Sequence, residues 1–430
     1  MKTRILFIAV LLVLSVNAVT KHESLYRIAV LSDVHVMSPE LIEHGGTEFQ
    51  KYLDGDRKLL SESLELLDSA CSNISKWRAQ IIFITGDLTK DGEKVSHMLL
   101  VNNYLKKLEE NGARVFVVPG NHDVNNPRAV IFKGDTKERT ATVSKEEFAE
   151  IYRNYGYGEA IARDVNSLTY VAQLDERTRL IAIDACRYED NDFDNDRCVT
   201  SGRIKDSTMD FIRREARRAE TDGCKVIAMM HHGVVRHWTL QDSMMKEYLV
   251  DDWKKRAGQL AKLGIKVVFT GHFHANDVSA ISFSGRKISD VETGSTVSYP
   301  HPYRLIDVSG NRMIIRTKHI ESLNSMKDSK HSLTDKSKAF AKTILNGMIN
   351  RTLSSDVPAE DKREVSEVLG EAYLMHLKGD EKPDEEFRLR LHSVVDKMRK
   401  YSRRYVSMIN KVAASLTSDD SEDNDLVLEY

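Results

Sequence analysis

The chain has 430 residues, longer than one typical domain, and this length favours two or three domains. Charged residues make up 30% and hydrophobic residues 41%, the balance of an ordinary globular protein. With 63 basic residues against 65 acidic ones, the composition argues against a nucleic-acid cradle or a surface built for anionic membranes.

The first segment differs from the rest. Lys2 and Arg4 precede an apolar run over residues 5–16 broken only by Ser15, and Val16-Asn17-Ala18 carries small or modest residues where signal peptidase cuts. This pattern predicts a signal peptide over residues 1–18 and an exported mature chain, periplasmic or secreted. The apolar run is shorter than the roughly 20 residues a bilayer span needs, so no membrane span is expected after cleavage. Export permits disulfides. Cys186 and Cys198 flank the polar loop RYEDNDFDND and could staple it, although their spacing does not establish the bond, whereas Cys71 and Cys224 read as small hydrophobic free thiols.

Strands and helices then alternate. Residues 27–32, 79–86, 113–120, 178–185, 224–230 and 265–271 are short β-branched apolar runs bounded by turn residues, which suits strands buried on both faces. Between them, residues 58–76, 93–110 and 206–221 carry apolar residues at helical spacing. Residues 277–316, with Ser284-Gly285 and Ser309-Gly310 as turn signals, read as antiparallel hairpins.

From about residue 325 the strand signals vanish. Three amphipathic helical stretches are expected over 334–352, 359–377 and 384–414, separated by Pro358 and Pro383. Phe340, Ile344 and Met348 mark the apolar face of the first, and Val365, Val368, Leu369 and Leu374 that of the second. The expected organisation is an α/β catalytic unit over 25–322, a small helical bundle over 325–415, and an acidic disordered tail over 416–430.

Five polar clusters follow the apolar runs in order: Asp33 with His35, Gly86-Asp87, Gly120-Asn121-His122-Asp123, His231-His232, and Gly271-His272 with His274. Loops at the carboxyl ends of strands in α/β sheets converge on one crevice, so these residues are expected to meet. Asp33 and His35 alternate by two and share one side of an extended segment. Asp87 has two oxygens and can bridge two ions, Asn121 offers an amide oxygen, and His231, His272 and His274 offer imidazoles. Mixed oxygen and nitrogen ligation suits two divalent or trivalent ions such as Mn, Fe or Zn, and the absence of Cys argues against a structural zinc finger.

The ordered set DVH, GD, GNHD, MHH and GHFH resembles the calcineurin-like metallophosphoesterase superfamily over about residues 27–319, with no element missing. The resemblance implies a metallophosphoesterase-type β-sandwich core flanked by helices. It also places Asp33, His35, Asp87 and His274 around one metal and Asp87, Asn121, His231 and His272 around the other, with Asp87 as the bridge. Two cations about 3.5–4 Å apart make hydroxide from a bridging water near neutral pH and clamp phosphate oxygens for in-line attack. His122 is placed to contact the phosphate or protonate the leaving oxygen, the role the resemblance also assigns it. Asp123 is expected to hold the His122 ring.

By the same pattern His231 is the ligand and His232 lines the pocket, although Gly233 stands where relatives often carry Pro. His237 and Trp238 are candidates for the pocket wall. The stretches GDLTKDGEKVSH, VVPGNHDVNNP, TGHFHANDV and VETGSTVSYPHPYR look like the bacterial cyclic-nucleotide-phosphodiesterase-like branch, whose members can carry a helical C-terminal domain. That likeness implies a phosphodiesterase of the 3′,5′-cyclic-nucleotide type acting on a small-molecule phosphoester, with no nucleic-acid polymer as partner. The alternative is a phosphomonoesterase or nucleotide-scavenging phosphohydrolase using the same centre. A secreted binding protein on the same scaffold would show a lost ligand, and none is lost. Specificity is expected in the loops 133–144 and 187–198.

Overall fold

The apolar runs pair into two sheets that bury each other. The computed structural model describes residues 25–430 except 57, 328–331 and 420, and except the side chains of residues 25, 344 and 348. The signal-peptide segment and the apolar-face positions Ile344 and Met348 lie outside the described residues. In the first sheet Leu25–Leu31 runs parallel to Ile81–Ile84, which runs parallel to Arg114–Val117. On its other side Leu25–Leu31 pairs antiparallel with Pro302–Ser309, followed by Arg312–His319 and Asp425–Glu429.

The second sheet centres on Thr178–Ile183, Lys225–Met230, Val267–Thr270 and Arg286–Glu292, all parallel. Val278–Phe283 closes one edge antiparallel, and Tyr170–Asp175 with Ala162–Arg163 closes the other. The two hairpins expected in 277–316 therefore both form, but each joins a different sheet.

Every residue of Ile81–Ile84 and Val267–Thr270 is buried, because each sheet lies between the other sheet and a helical layer. Phe83 meets Phe269 across the sandwich with ring centroids 5.8 Å apart. Burying one such ring stabilises the fold by about 2–3 kcal/mol. The helix Ser63–Trp77 adds Leu66, Leu67, Ala70 and Ile74 to this core. The helices Asp206–Thr221 and Trp253–Lys262 cover the outer face of the second sheet with Phe211, Ile212, Ala257 and Leu260. The result is a β-sandwich core flanked by helices, the fold class expected from the sequence.

The C-terminal region contains four helices, Leu333–Thr352, Ala359–Lys378, Glu385–Met398 and Arg403–Thr417. The expected single stretch 384–414 is thus broken. No Gly or Pro marks the break; packing makes it. Met398 is buried, the Tyr401 hydroxyl donates to Asp361 on Ala359–Lys378 at 2.5 Å, and the Ser402 side chain caps the last helix at Arg404 N–H.

One expectation is corrected. The described residues of 416–430 do not form a disordered tail. Asp425–Glu429 pairs antiparallel with Arg312–His319, Leu426 and Leu428 pack on the core, and Tyr430 is buried. Asp423, read as a solvated acid, is buried and accepts Val278 N–H at 2.8 Å and Asp380 N–H at 2.7 Å. The bond left open between Cys186 and Cys198 is not formed, and Cys71 and Cys224 are free thiols as expected. Cys186 Sγ faces the Pro119 carbonyl at 3.3 Å and Cys198 Sγ faces Asn126 Oδ1 at 2.8 Å, while paired backbone bonds between Asp192 and Arg197 close the loop instead.

Candidate metal centre

Each ligand-type side chain leaves its strand within a few residues of the carboxyl end: Asp33 and His35 after Leu31, Asp87 after Ile84, Asn121 after Val117, His231 after Met230, and His272 and His274 after Thr270. Five of them sit in the left-handed backbone region, with φ of 49° at Asp33, 40° at His35, 47° at Asp87, 77° at His272 and 71° at His274. A residue with a side chain is held there at a cost of about 1–3 kcal/mol, and such strain gathers where a site over-determines its geometry. Backbone bonds impose it: Asp33 N–H donates to Gly86 O at 3.1 Å and His35 N–H to Asp87 O at 3.0 Å.

The glycines of the motifs permit close approach. A Cβ on Gly120 would lie 2.1 Å from both the nitrogen and Oδ1 of Asp87, and one on Gly271 would lie 2.5 Å from Asp33 Oδ2.

The seven expected ligands meet in two adjoining groups. Asp33, His35 and His274 offer donor atoms within 4.8 Å of one another, and so do Asp87, His231 and His272. His274 Nε2 lies 3.3 Å from Asp33 Oδ1, and His231 Nε2 lies 3.2 Å from Asn121 Oδ1. Asp87 faces both groups, with Oδ1 3.4 Å from His231 Nε2 and Oδ2 3.6 Å from His35 Nε2.

The donor set fits metal ions. His231 Nδ1–H donates to Thr85 O at 2.8 Å and His35 Nδ1–H to Thr89 O at 3.3 Å, which turns each Nε2 lone pair inward. Asp33 Oδ1, His35 Nε2 and His272 Nε2 are buried without a hydrogen-bond partner among the described residues. Unpaired buried acceptors are costly unless a cation completes them.

Electrostatics agree. Burial, then the Lys58 charge, holds His35 well below the usual imidazole range, and burial with neighbouring His232 does the same to His272, so both rings are neutral and available to a cation. Burial opposes charge on Asp87, but His231 and His122 outweigh it and hold its carboxyl well below the ordinary range. Burial also opposes charge on His231, yet Asp87 outweighs it and pushes the imidazole up to about 9. The bridging carboxylate thus attracts positive charge to the place where a cation would bind.

His122 stands at the mouth of this centre. Its side chain is 22% exposed against 3% for Asp87, and its Nε2 lies 3.9 Å from Asp87 Oδ2. The expected partner Asp123 does not hold its ring. Asp123 turns away and accepts Gly120 N–H at 2.8 Å, Leu88 N–H at 3.0 Å, and the Thr89 N–H and hydroxyl at 2.9 and 3.0 Å. It clamps the loop after Asp87 to the loop carrying Asn121.

The ring is held by Asp91, whose Oδ1 accepts from His122 Nδ1 at 2.9 Å beside the Lys90 carbonyl at 2.8 Å. Lys90 secures Asp91 in turn, with Nζ 2.6 Å from Asp91 Oδ2 and 2.8 Å from Glu93 Oε1. Burial and the Lys58 charge lower the His122 pKa, but Asp87 and the Asp91 hydrogen bond outweigh them and raise it above its ordinary value. The sequence reading missed Asp91 and Lys90. The signal was present in KDGE, which follows the bridging carboxylate on the same loop.

The remaining candidates separate. His232 packs on His272 with ring centroids 4.4 Å apart and engages the Thr200 carbonyl at 2.8 Å, outside the ligand groups. His237 and Trp238 are neither pocket wall nor surface loop. His237 is buried against Asp277, Asp290 and Glu292, and Trp238 stacks on Phe273 within the core of the C-terminal helices. The loops 133–144 and 187–198 touch each other through Arg139 and Asp196 at 2.5 Å. They adjoin the segment after His122, where Asn191 donates to Asn125 O at 3.0 Å.

The model of the family described as calcineurin-like phosphoesterase matches residues 26–276. The chain belongs to this family. Metal-dependent phosphoester hydrolysis is therefore its chemistry, and the matched span contains all seven candidate ligands and His122. A search of curated proteins finds no match. Solved structures similar to the phosphoesterase include a dimetal phosphatase from Danio rerio, with a TM-score of 0.48 and 14% identity over 68% of this chain and 96% of that one. Another is the phosphopantetheinyl hydrolase from Mycobacterium tuberculosis, with a TM-score of 0.32 and 10% identity over 64% of this chain and 90% of that one.

Proposed function

We propose that the protein hydrolyses phosphodiesters, with 3′,5′-cyclic nucleotides as the substrate class, at a binuclear centre held by Asp33, His35, Asp87, Asn121, His231, His272 and His274. The observation that carries this reading is Asp87, whose two oxygens face the two ligand groups separately. Bound there, a pair of ions such as Mn, Fe or Zn supplies Lewis-acid stabilisation of charge on the phosphate and acidifies the attacking water.

The protein's own groups handle the leaving oxygen. Asp91 and the Lys90 carbonyl both engage His122 Nδ1, so the proton on Nε2 points toward the centre. An alkoxide leaving group needs that proton, and Asp91 stabilises the imidazolium until it is delivered. Side-chain exposure is 0–3% at Asp33, His35, Asp87 and His231 and 14% at His274, against 22% for His122, which directs substrate to the His122 and His274 side.

Support for a diester comes from the resemblance of the loops around the ligands. Steady-state kinetics of the Mn-reconstituted protein on bis-p-nitrophenyl phosphate, p-nitrophenyl phosphate and a 3′,5′-cyclic nucleotide test it. The expected order of kcat/KM places both diesters above the monoester, and the reverse order replaces this reading with a phosphomonoesterase. The proposal includes export, for which the mature chain should begin at Val19; recovery of an intact N-terminus overturns that part.

A further inference from the structure

A second buried group of histidine and carboxylates lies where the α/β unit meets the C-terminal helices. Asp277 precedes the strand Val278–Phe283, His376 occupies the last turn of Ala359–Lys378, Glu381 follows that helix, and Asp419 follows Arg403–Thr417. Asp277, His376 and Glu381 offer donor atoms within 4.8 Å of one another, and Asp277 shares a similar grouping with Asp419 and Asp423. His376 Nδ1 is 2.8 Å from Glu381 Oε1 and 3.9 Å from Asp277 Oδ2. Exposure is 0% at Asp277, 2% at His376 and 6% at Glu381, so no solvent balances these charges.

A protonated His376 does not satisfy this group. It covers Glu381 Oε1 but leaves Glu381 Oε2 and its own Nε2 buried without a hydrogen-bond partner among the described residues, while Asp277 and Asp419 face each other and can share only one proton between their carboxyls. The other oxygens are already occupied. Asp277 Oδ1 faces His237 Nδ1 at 2.5 Å, the support a ligating carboxylate commonly receives. Both Asp423 oxygens accept backbone N–H groups, which removes Asp423 from the set of free donors.

Carboxyl groups outnumber basic ones. Among the described residues, Asp277, Asp290, Glu292, Asp380, Glu381, Asp419 and Asp423 meet Arg304 and the imidazoles of His237 and His376 at the junction, and burial favours the neutral form of Glu292. Burial and the Asp277 charge push Asp419 up to about 6 and Asp423 up to about 8.

We propose that Asp277, His376 and Glu381, completed by Asp419, form a divalent-cation site separate from the phosphoesterase centre, and that it fastens the C-terminal helices to the α/β unit. One imidazole with carboxylates selects a borderline ion such as Zn²⁺ over Ca²⁺, and burial of Asp277, His376 and Glu381, with Asp419 half-buried at the edge, makes the site structural. The ion joins a loop of the catalytic unit to two segments of the helical region.

The test is metal content of the full-length chain carrying Asp33→Ala and Asp87→Ala, so that the catalytic centre does not contribute. After loading with Zn²⁺ alone and desalting, one ion per chain is expected by mass spectrometry, together with a rise in thermal midpoint on Zn²⁺ addition. Adding His376→Gln and Glu381→Gln should remove both. No retained ion in the parent variant, or an ion that survives the added substitutions, overturns the site. If the combined variant does not fold, the near-isosteric Glu381→Gln in the otherwise unaltered chain decides: total Zn²⁺ should fall by one ion per chain, and unchanged content overturns the proposal. Phosphoesterase activity enters neither measurement, so failure of the substrate assignment leaves this test intact.

Discussion

The centre at the strand ends and the cluster at the helical junction use the same side chains in opposite ways. At the strand ends, five ligand-type residues adopt left-handed backbone and His122 stays partly open to solvent. At the junction, Asp277, His376 and Glu381 have no left-handed backbone and almost no exposure. A reacting centre needs donors aimed at one point with room for substrate, and backbone strain is the means of aiming them. A site that only holds parts together needs burial and charge balance, and it can borrow residues from ordinary helix ends and loops.

Substitutions sharpen this contrast, beginning with the largest effect. Asp87→Ala removes a ligand from both groups, and turnover should fall by about three orders of magnitude or more with loss of both catalytic ions. Retained activity with bound metal, measured by kinetics and metal analysis, would break the binuclear reading. His122→Ala should lower kcat by about 10²–10³ while metal content stays unchanged, the outcome the proposed proton-delivering role requires. Parallel metal loss would make it a ligand.

Gly120→Ala tests aiming without touching any donor. Its Cβ would collide with Asp87 at 2.1 Å, and turnover should fall by about 10² through misplacement alone. A pair of substitutions then separates the two aspartates near His122. Asp91→Asn should cost about tenfold in the kcat of the folded protein, and it also lowers the thermal midpoint because buried Lys90 keeps Glu93 as its remaining carboxylate partner among the described residues. Asp123→Asn should lower stability by about 1–3 kcal/mol, since it disrupts a carboxylate accepting four donors. A loss of kcat from Asp123→Asn and none from Asp91→Asn would restore Asp123 as the partner of His122.

The smallest effect on turnover is expected deep in the helical region. Phe387→Ala should lower stability by about 3–5 kcal/mol in denaturant unfolding and leave kcat on a small nitrophenyl ester unchanged. A matching fall in kcat would show that the helices shape the reaction centre, and the contrast between the two regions would fail.

The strand-end centre was legible in the sequence because each donor belongs to a local pattern. An apolar run, a turn glycine and a polar residue lie within a few positions of one another, and strand ends in an α/β sandwich must converge. The six apolar strand runs and the helical stretches 58–76, 93–110 and 206–221 carried equally local periodicity, whereas Tyr170–Asp175 and the helices Thr47–Gly55 and Trp253–Lys262 went unread. The short strands Val130–Lys133 and Thr136–Arg139 and the final strand Asp425–Glu429 carried none, since their pairing partners rather than their composition hold them in place.

Amino-acid order by itself determined which residues could bind metal and that they would share one crevice. Tertiary structure alone decided that Asp91 rather than Asp123 holds His122, that the two hairpins of 277–316 enter different sheets, and that His237 and Trp238 face the helical region. It also brought Asp277 to His376 and Glu381. These are contacts between segments far apart in the chain, where neither spacing nor periodicity records a partner. Only the packing of buried surfaces brings such side chains within reach of each other.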